Sequence, residues 1–245
     1  MIDKARGGTE YTVTSIAAGP RGVEIFAAPA GNRRLRAHHA GQFAFLTATV
    51  GGRTETHPFT ITAPEGDTQL SVFIRDSGDW THEVQTGMRP GDKIQLSGPF
   101  GALTPTQVDP SRSQVWVAGG AGITPFLATI RTWHRSGRAA PVLLVYTAGT
   151  AADAPAWEEV SRAAVTRSWL SVEPVFTQDG ERVDGDRIAR IAADAASGDA
   201  LWYVCGPGGL KNSIIQALQD VRHPANDLHT EEYSWRDSLR EAQPA

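Results

Sequence analysis

Sulfur is scarce in these 245 residues: there is one cysteine and there are two methionines. The single thiol, Cys205, excludes an internal disulfide, which needs two, and every iron–sulfur cluster held by cysteine alone, which needs four. None of the seven histidines stands in an H-x-x-x-H or H-E-x-x-H spacing, so no metal site is read from them. Nor does any apolar run approach the length of about 18 residues that a membrane span requires, and the start, "MIDKARGGTEY", lacks the apolar core of a signal peptide. Charge of one sign is also missing. The 23 Lys and Arg stand against 27 Asp and Glu, a formal charge of -4, which argues against nucleic acid or an anionic membrane surface as partner. What survives is a soluble globular protein, expected in the cytoplasm or at the cytoplasmic face of a membrane, whose ligands are small molecules or proteins.

What is present divides into two halves of different period. Up to about residue 100 the chain reads as short strands, "EYTVTSIAAG", "GVEIFAAP", "GQFAFLTATV", "ETHPFTITA", "QLSVFIRD" and "DKIQLSGPF", each partly alternating and each fenced by Gly, Pro or Asp. One helical piece, "DWTHEVQTGM", interrupts them. Such strands predict an antiparallel barrel or sandwich. Beyond the polar "TPTQVDPSRS" the strands "QVWVA", "VLLVYTA", "SVEPVFT" and "LWYVCG" alternate with helical "TPFLATIRTWHRSG", "APAWEEVSRAAVT", "DGDRIARIAADAAS" and "GGLKNSIIQALQD", the pattern of a parallel sheet covered on both faces. The expected domains are therefore 1–105, built of antiparallel strands, and 106–245, an α/β domain.

Four stretches carry chemistry. In "VAGGAGITPF" the glycines 119, 120 and 122 let a strand turn into a helix with its backbone open to a ligand, and the first helical N–H groups then face a pyrophosphate. "YVCGPGGL" ends a later strand at what should be the same sheet edge. "RDSGDWT" sets a cation, a glycine and a hydroxyl about a helix start, a second phosphate cradle. In "HPFTITAP" an aromatic and a hydroxyl follow a proline that fixes the backbone.

Taken in order, "GQFAFL", "HPFTI", "GDWT", "GPFG", "GGAGITP", "YVCGP" and "HTEEYSWR" resemble the ferredoxin reductase-like flavoprotein superfamily, and more narrowly the FAD- and NAD(P)-binding part of the ferric reductase and NADPH oxidase group. The resemblance implies a six-stranded FAD barrel and a nucleotide-binding domain, with hydride passing from NAD(P)H to flavin N5 and single electrons passing on to an acceptor. It assigns His57, Pro58, Phe59, Thr60, Ile74, Arg75, Gly78, Trp80 and Thr81 to FAD, Phe59 packing on the flavin and Thr60 bonding near N5. Tyr233, with Trp235 as its competitor, would cover the opposite flavin face. Gly119, Gly120, Gly122, Ile123, Thr124 and Pro125 would hold the dinucleotide, while Cys205, Gly206 and Pro207 border the nicotinamide. Thr60 and Cys205 are the residues expected at the reacting atoms.

The departures are informative too. His57 stands where many members have an arginine on the FAD pyrophosphate, and histidine carries less fixed charge at neutral pH, so Arg75 and the N–H groups of Gly78–Thr81 inherit the task. Members that prefer NADPH often place an arginine after the second parallel strand, but no Arg or Lys occurs between Arg138 and Arg162. That leans the reading to NADH, with Arg162, Arg167 and Arg182 as the nearest cations in sequence. The membrane haem domain of the ferric reductase group is not in this sequence, so neither haem nor an iron–sulfur cluster is expected in the chain. The acceptor is then a ferric chelate, a haem domain or another electron carrier. The alternatives are a non-catalytic flavin- and nucleotide-binding regulatory module, and an electron-transfer subunit active only with a membrane haem partner.

Overall fold

The computed structural model describes residues 8–31, 36–177, 200–220 and 222–231, with Gly185, Arg187, Ile188 and Arg190 between them. Six antiparallel strands come first: β1 (Thr9–Gly19), β2 (Gly22–Pro29), β3 (Phe43–Val50), β4 (Arg53–Thr60), β5 (Leu70–Arg75) and β6 (Lys93–Phe100). They are ordered β4-β3-β6-β1-β2-β5, and the sheet curls until Ile61, just past β4, bridges Val72 of β5. Alternation decides what is inside. Ala44, Leu46 and Ala48 of β3 and Val23, Ile25 and Ala27 of β2 fill one core, and α1 (Asp79–Gly87) caps it with Trp80 and Val84. The expected antiparallel barrel is what forms.

The second sheet is parallel: β7 (Gln114–Gly119), β8 (Val142–Ala148), β9 (Leu170–Phe176), β10 (Leu201–Cys205) and β11 (Leu228–Glu231), in the order β11-β10-β7-β8-β9. Helices α2 (Thr124–Ser136), α3 (Trp157–Thr166) and α4 (Gly208–Asp220) follow β7, β8 and β10. The buried run of β7 feeds both faces, Trp116 and Ala118 toward Phe126, Ile130 and Val160, and Val115 and Val117 toward Ile214 and Leu218. Such two-sided burial is why this strand reads as continuously apolar. Helix α2 starts with Pro125 in its first turn and stops at Gly137, whose φ of 68° is left-handed and whose N–H closes on the Trp133 carbonyl, as the sequence predicts.

Polar contacts join the two sheets. Arg131 on α2 donates to Glu24 of β2 at 2.6 and 3.1 Å, to the Thr62 carbonyl at 3.1 Å and to Glu159 of α3 at 2.7 and 2.8 Å. Nearby, the Glu65 N–H donates to Thr132 Oγ1 and Arg135 pairs with Asp67. At another edge of the junction Arg21 Nε meets Asp153 Oδ1 at 2.7 Å. Leu103, on the link between the sheets, already packs in the second core.

Candidate functional site

The strand order places β7 and β10 side by side at the point where the winding reverses, and ligands of open parallel sheets bind outside the strand ends at such a point. Cys205 is in register with Ala118, so the loops "GGAG" and "CGPGG" leave the sheet together. They touch. A Cβ on Gly122 would lie 2.2 Å from the Cys205 carbonyl oxygen and 2.8 Å from the Gly206 nitrogen, so only glycine lets the two backbones close the cradle. Gly120 has a left-handed φ of 54° and opens a 3₁₀ turn, Gly120–Ile123, that runs straight into α2. Thr124 donates its hydroxyl to the Ala121 carbonyl, while Ile123 is wholly buried and serves packing. Tyr146, at the end of β8, braces this loop by donating to the Pro155 carbonyl at 2.7 Å and the Gly120 carbonyl at 3.4 Å. Burial pushes its phenol pKa up, so it stays a donor. The sequence reading missed it because nothing local distinguishes it from a core tyrosine.

The barrel presents its own groups. Alternation sends consecutive β4 residues to opposite faces: Phe59 lies across from core residue Ala44, and Thr60 across from Phe43. Phe59 and Thr60 thus leave β4 on opposite faces. Phe59 packs on the barrel core with its ring nearly parallel to Trp80, centroids 6.4 Å apart. His57 shares that face, tilted against Trp80 at 4.8 Å and held by Glu55 at 2.8 Å. Thr60, 3% exposed, shares the outer face with Pro58 and with the mutually packed rings of Phe43, Phe45 and Phe100.

Helix α1 begins at Gly78 without a side-chain cap. Thr81 turns its hydroxyl inward, accepting from the Ser77 N–H and donating to the Gly78 carbonyl. The early N–H groups of the helix are left to a ligand. Trp80 is 3% exposed, and its Nε1 has no hydrogen-bond partner among the described residues. A buried donor of that kind fits a bound acceptor. Ile74 turns its side chain into the core, so any share it has in the site is through its backbone. Arg75, expected on the FAD pyrophosphate, has its Nη1 4.0 Å from where a Gly120 Cβ would stand. With Arg21, Gly120, Gly149, Asp153 and Pro155 it lines a cleft of about 250 Å³.

A carboxylate that the sequence reading passed over joins the site. Glu231 ends β11 in register with Cys205 and is 4% exposed. A Cβ on Gly101 would lie 2.7 Å from Glu231 Oε1 and 3.0 Å from the Phe43 ring, which puts the carboxylate against the barrel's exit loop. Phe43 of the barrel and Glu231 of the sheet therefore meet at Gly101, with Thr60 in register with the one and Cys205 with the other. The strand β11 was the missing signal, because only its pairing with β10 tells which residue of "HTEE" faces the junction. Tyr233 and Trp235 lie outside the described residues, as does Arg182. Of the other two cations, Arg162 lines the large groove between the barrel and α3, and Arg167 bonds His134.

Among the described residues no group of three or more metal-ligating side chains gathers, and no helix is long and apolar enough to cross a membrane.

Two family models match the chain. Residues 30–118 match the model of an FAD-binding domain, and residues 116–216 that of an oxidoreductase NAD-binding domain. The chain is 27% identical over 220 residues to a flavohemoprotein of Deinococcus radiodurans, covering 84% of this chain and 54% of that one. It is 33% identical over 216 residues to respiratory burst oxidase homolog protein E of Arabidopsis thaliana, covering 75% of this chain and 20% of that one. The chain thus spans about half or less of the length of these relatives. The solved FAD/NAD-binding domain of a nitric oxide dioxygenase from Vibrio cholerae superposes with a TM-score of 0.79 at 17% identity, covering 92% of this chain and 98% of that one.

Proposed function

Because the chain belongs to the ferredoxin reductase-like flavoprotein superfamily, we propose that it is an FAD-dependent NAD(P)H oxidoreductase that passes electrons from the nicotinamide to an acceptor bearing haem. The observation that carries this reading is the meeting of the two glycine loops at the switch point, with Arg75 at the end of barrel strand β5 reaching toward Gly120. FAD, when bound, would supply two-electron acceptance from the nicotinamide and one-electron release to the acceptor.

The chain's own residues bind, orient and exclude water. The first-turn N–H groups of α1 would hold the FAD pyrophosphate, with the positive end of the helix adding to the attraction. Trp80 Nε1 offers a buried donor, with Phe59 stacked and His57 tilted beside it to wall that side of the site. The turn at Gly120–Ile123 would take the nicotinamide pyrophosphate. Cys205, wholly buried, serves as a small wall that sets how close the nicotinamide comes, a positioning role in which small displacements are costly. Thr60 and Glu231, a hydroxyl and a carboxylate both almost out of water, are the groups able to hold a proton there. The cover over the remaining flavin face falls to Tyr233, with Trp235 as competitor. Haem as the acceptor rests on the name of the flavohemoprotein relative, of which the chain covers only 54%.

Anaerobic mixing of the FAD-loaded protein with NADH or NADPH tests the reading. Loss of the oxidised flavin band within the mixing experiment is the expected result. A flavin that is demonstrably bound and stays oxidised with both nucleotides overturns it in favour of a non-catalytic module.

A further inference from the structure

The chain after β8 carries no Arg or Lys until Arg162, yet a cation is present there, delivered by the barrel. Arg21 occupies the β1–β2 turn with a left-handed φ of 54°, and its Nε reaches Asp153, 132 residues away, at 2.7 Å. Asp153 sits in the short 3₁₀ turn that follows β8, and its other oxygen accepts from the Thr150 hydroxyl at 3.0 Å. Both carboxylate oxygens are thus engaged. Arg21 spends one of its five N–H donors on the pair, and its side chain remains 58% exposed. Arg75 makes no ion pair among the described residues and lines the same cleft of about 250 Å³. Its neighbour Asp76 is taken up by His82 at 3.0 Å. Two guanidiniums against one engaged carboxylate leave the cleft with a net positive charge.

Position and chemistry then agree. The cleft is walled by Gly120 at the end of β7 and by Gly149 just past β8, the two backbones along which a dinucleotide would lie. An anion in it would be a phosphate group attached to that nucleotide, and a guanidinium aimed by a carboxylate recognises phosphate through several N–H donors at once.

We propose that Arg21 reads the ribose 2′-phosphate of NADPH, with Asp153 as the strut that aims it and Arg75 as the second cation of the cleft, so that the enzyme prefers NADPH. The inference rests on the nucleotide site of the preceding section and reverses the lean to NADH drawn from the missing arginine. The element that reads the phosphate is a barrel turn, so selectivity depends on how the two domains are docked.

The test is calorimetric titration of the FAD-loaded protein with NADP⁺, NAD⁺, 2′,5′-ADP and 5′-AMP, without turnover. The wild type is expected to bind the 2′-phosphorylated member of each pair more tightly. Arg21→Ala should weaken NADP⁺ and 2′,5′-ADP by about tenfold or more, as the loss of a charge-assisted contact implies, and leave NAD⁺ and 5′-AMP within about twofold. Arg21→Lys should recover part of the loss, and its unchanged melting temperature would rule out misfolding as the cause. Equal wild-type affinity for both members of each pair, or an equal loss for both in Arg21→Ala, overturns the assignment while leaving the reductase reading intact. Failure of every nucleotide to bind the flavin-loaded protein overturns both.

Discussion

Gly122 is the position where one atom decides whether the nucleotide loops can close. A methyl group there would meet the Cys205 carbonyl at 2.2 Å and the Gly206 nitrogen at 2.8 Å, and both are backbone atoms that cannot swing aside. Gly122→Ala should therefore cost about 1–3 kcal/mol of stability, the usual range for overpacking. It should also weaken nucleotide binding by about tenfold or more, since displacements of about 1 Å are enough to spoil aligned contacts. FAD affinity should hold, because the cradle proposed for it lies on β4, β5 and α1. Urea denaturation and separate titrations with FAD and with nucleotide check this, and an undiminished nucleotide affinity would mean that the loops are not the cradle. The glycine spacing was legible in the sequence; the atom each glycine makes room for was not. Likewise the order His-Pro-Phe-Thr was plain, while the split of Phe59 and Thr60 between two faces became evident only once β4 was registered against β3.

At the scale of elements, α2 is held to the barrel by a charge set rather than by an apolar seam. Arg131 and Glu24 are 18% and 15% exposed, and Glu159 is 41% exposed. Burial pushes the Glu24 pKa up, but the bonds from Arg131, Thr62 and Ser71 outweigh it, so the net shift is downward. Arg131→Met should destabilise the protein by about 3–5 kcal/mol at neutral pH, because Glu24 is left as an uncompensated buried charge. The sign with pH follows. In the wild type Glu24 contributes stability above its ordinary value of about 4.3, and that contribution is lost as pH falls through its lowered folded value. In the variant, protonation relieves the stranded charge instead. The stability gap between the two should therefore narrow as chemical denaturation is repeated from pH 7 toward pH 4; a gap that is constant with pH would show that the loss comes from packing alone. Strands and helices were legible because each obeys a local rule, period two for the barrel and proline-in, glycine-out for α2. The clasp was not, because Glu24, Arg131 and Glu159 are brought together only by the packing of α2 between β2 and α3.

For the whole molecule, the barrel core and the cores on the two faces of the parallel sheet are separate clusters, and among the described residues the ionic contacts of the junction include Arg131 with Glu24, Arg135 with Asp67, and Arg21 with Asp153. Interfaces of this polar kind permit relative motion of domains and make cooperative unfolding depend on a few bonds. Each ligand, moreover, has its cradle centred on one core, FAD on the barrel side and the dinucleotide on the parallel sheet. Ligand that binds only the folded state stabilises it by about 2.7 kcal/mol at a hundred times its Kd. In the wild type, saturating FAD or NADP⁺ should accordingly raise a single thermal transition. Weakening the junction with the double variant Arg21→Ala, Arg131→Met should split that transition in two, FAD then moving only one component and NADP⁺ only the other. Calorimetric scans with each ligand alone distinguish the outcomes. A single transition in the double variant, raised by either ligand, would mean that the cores are coupled by more than these ion pairs, and that the junction where Phe43 and Glu231 meet is rigid without them.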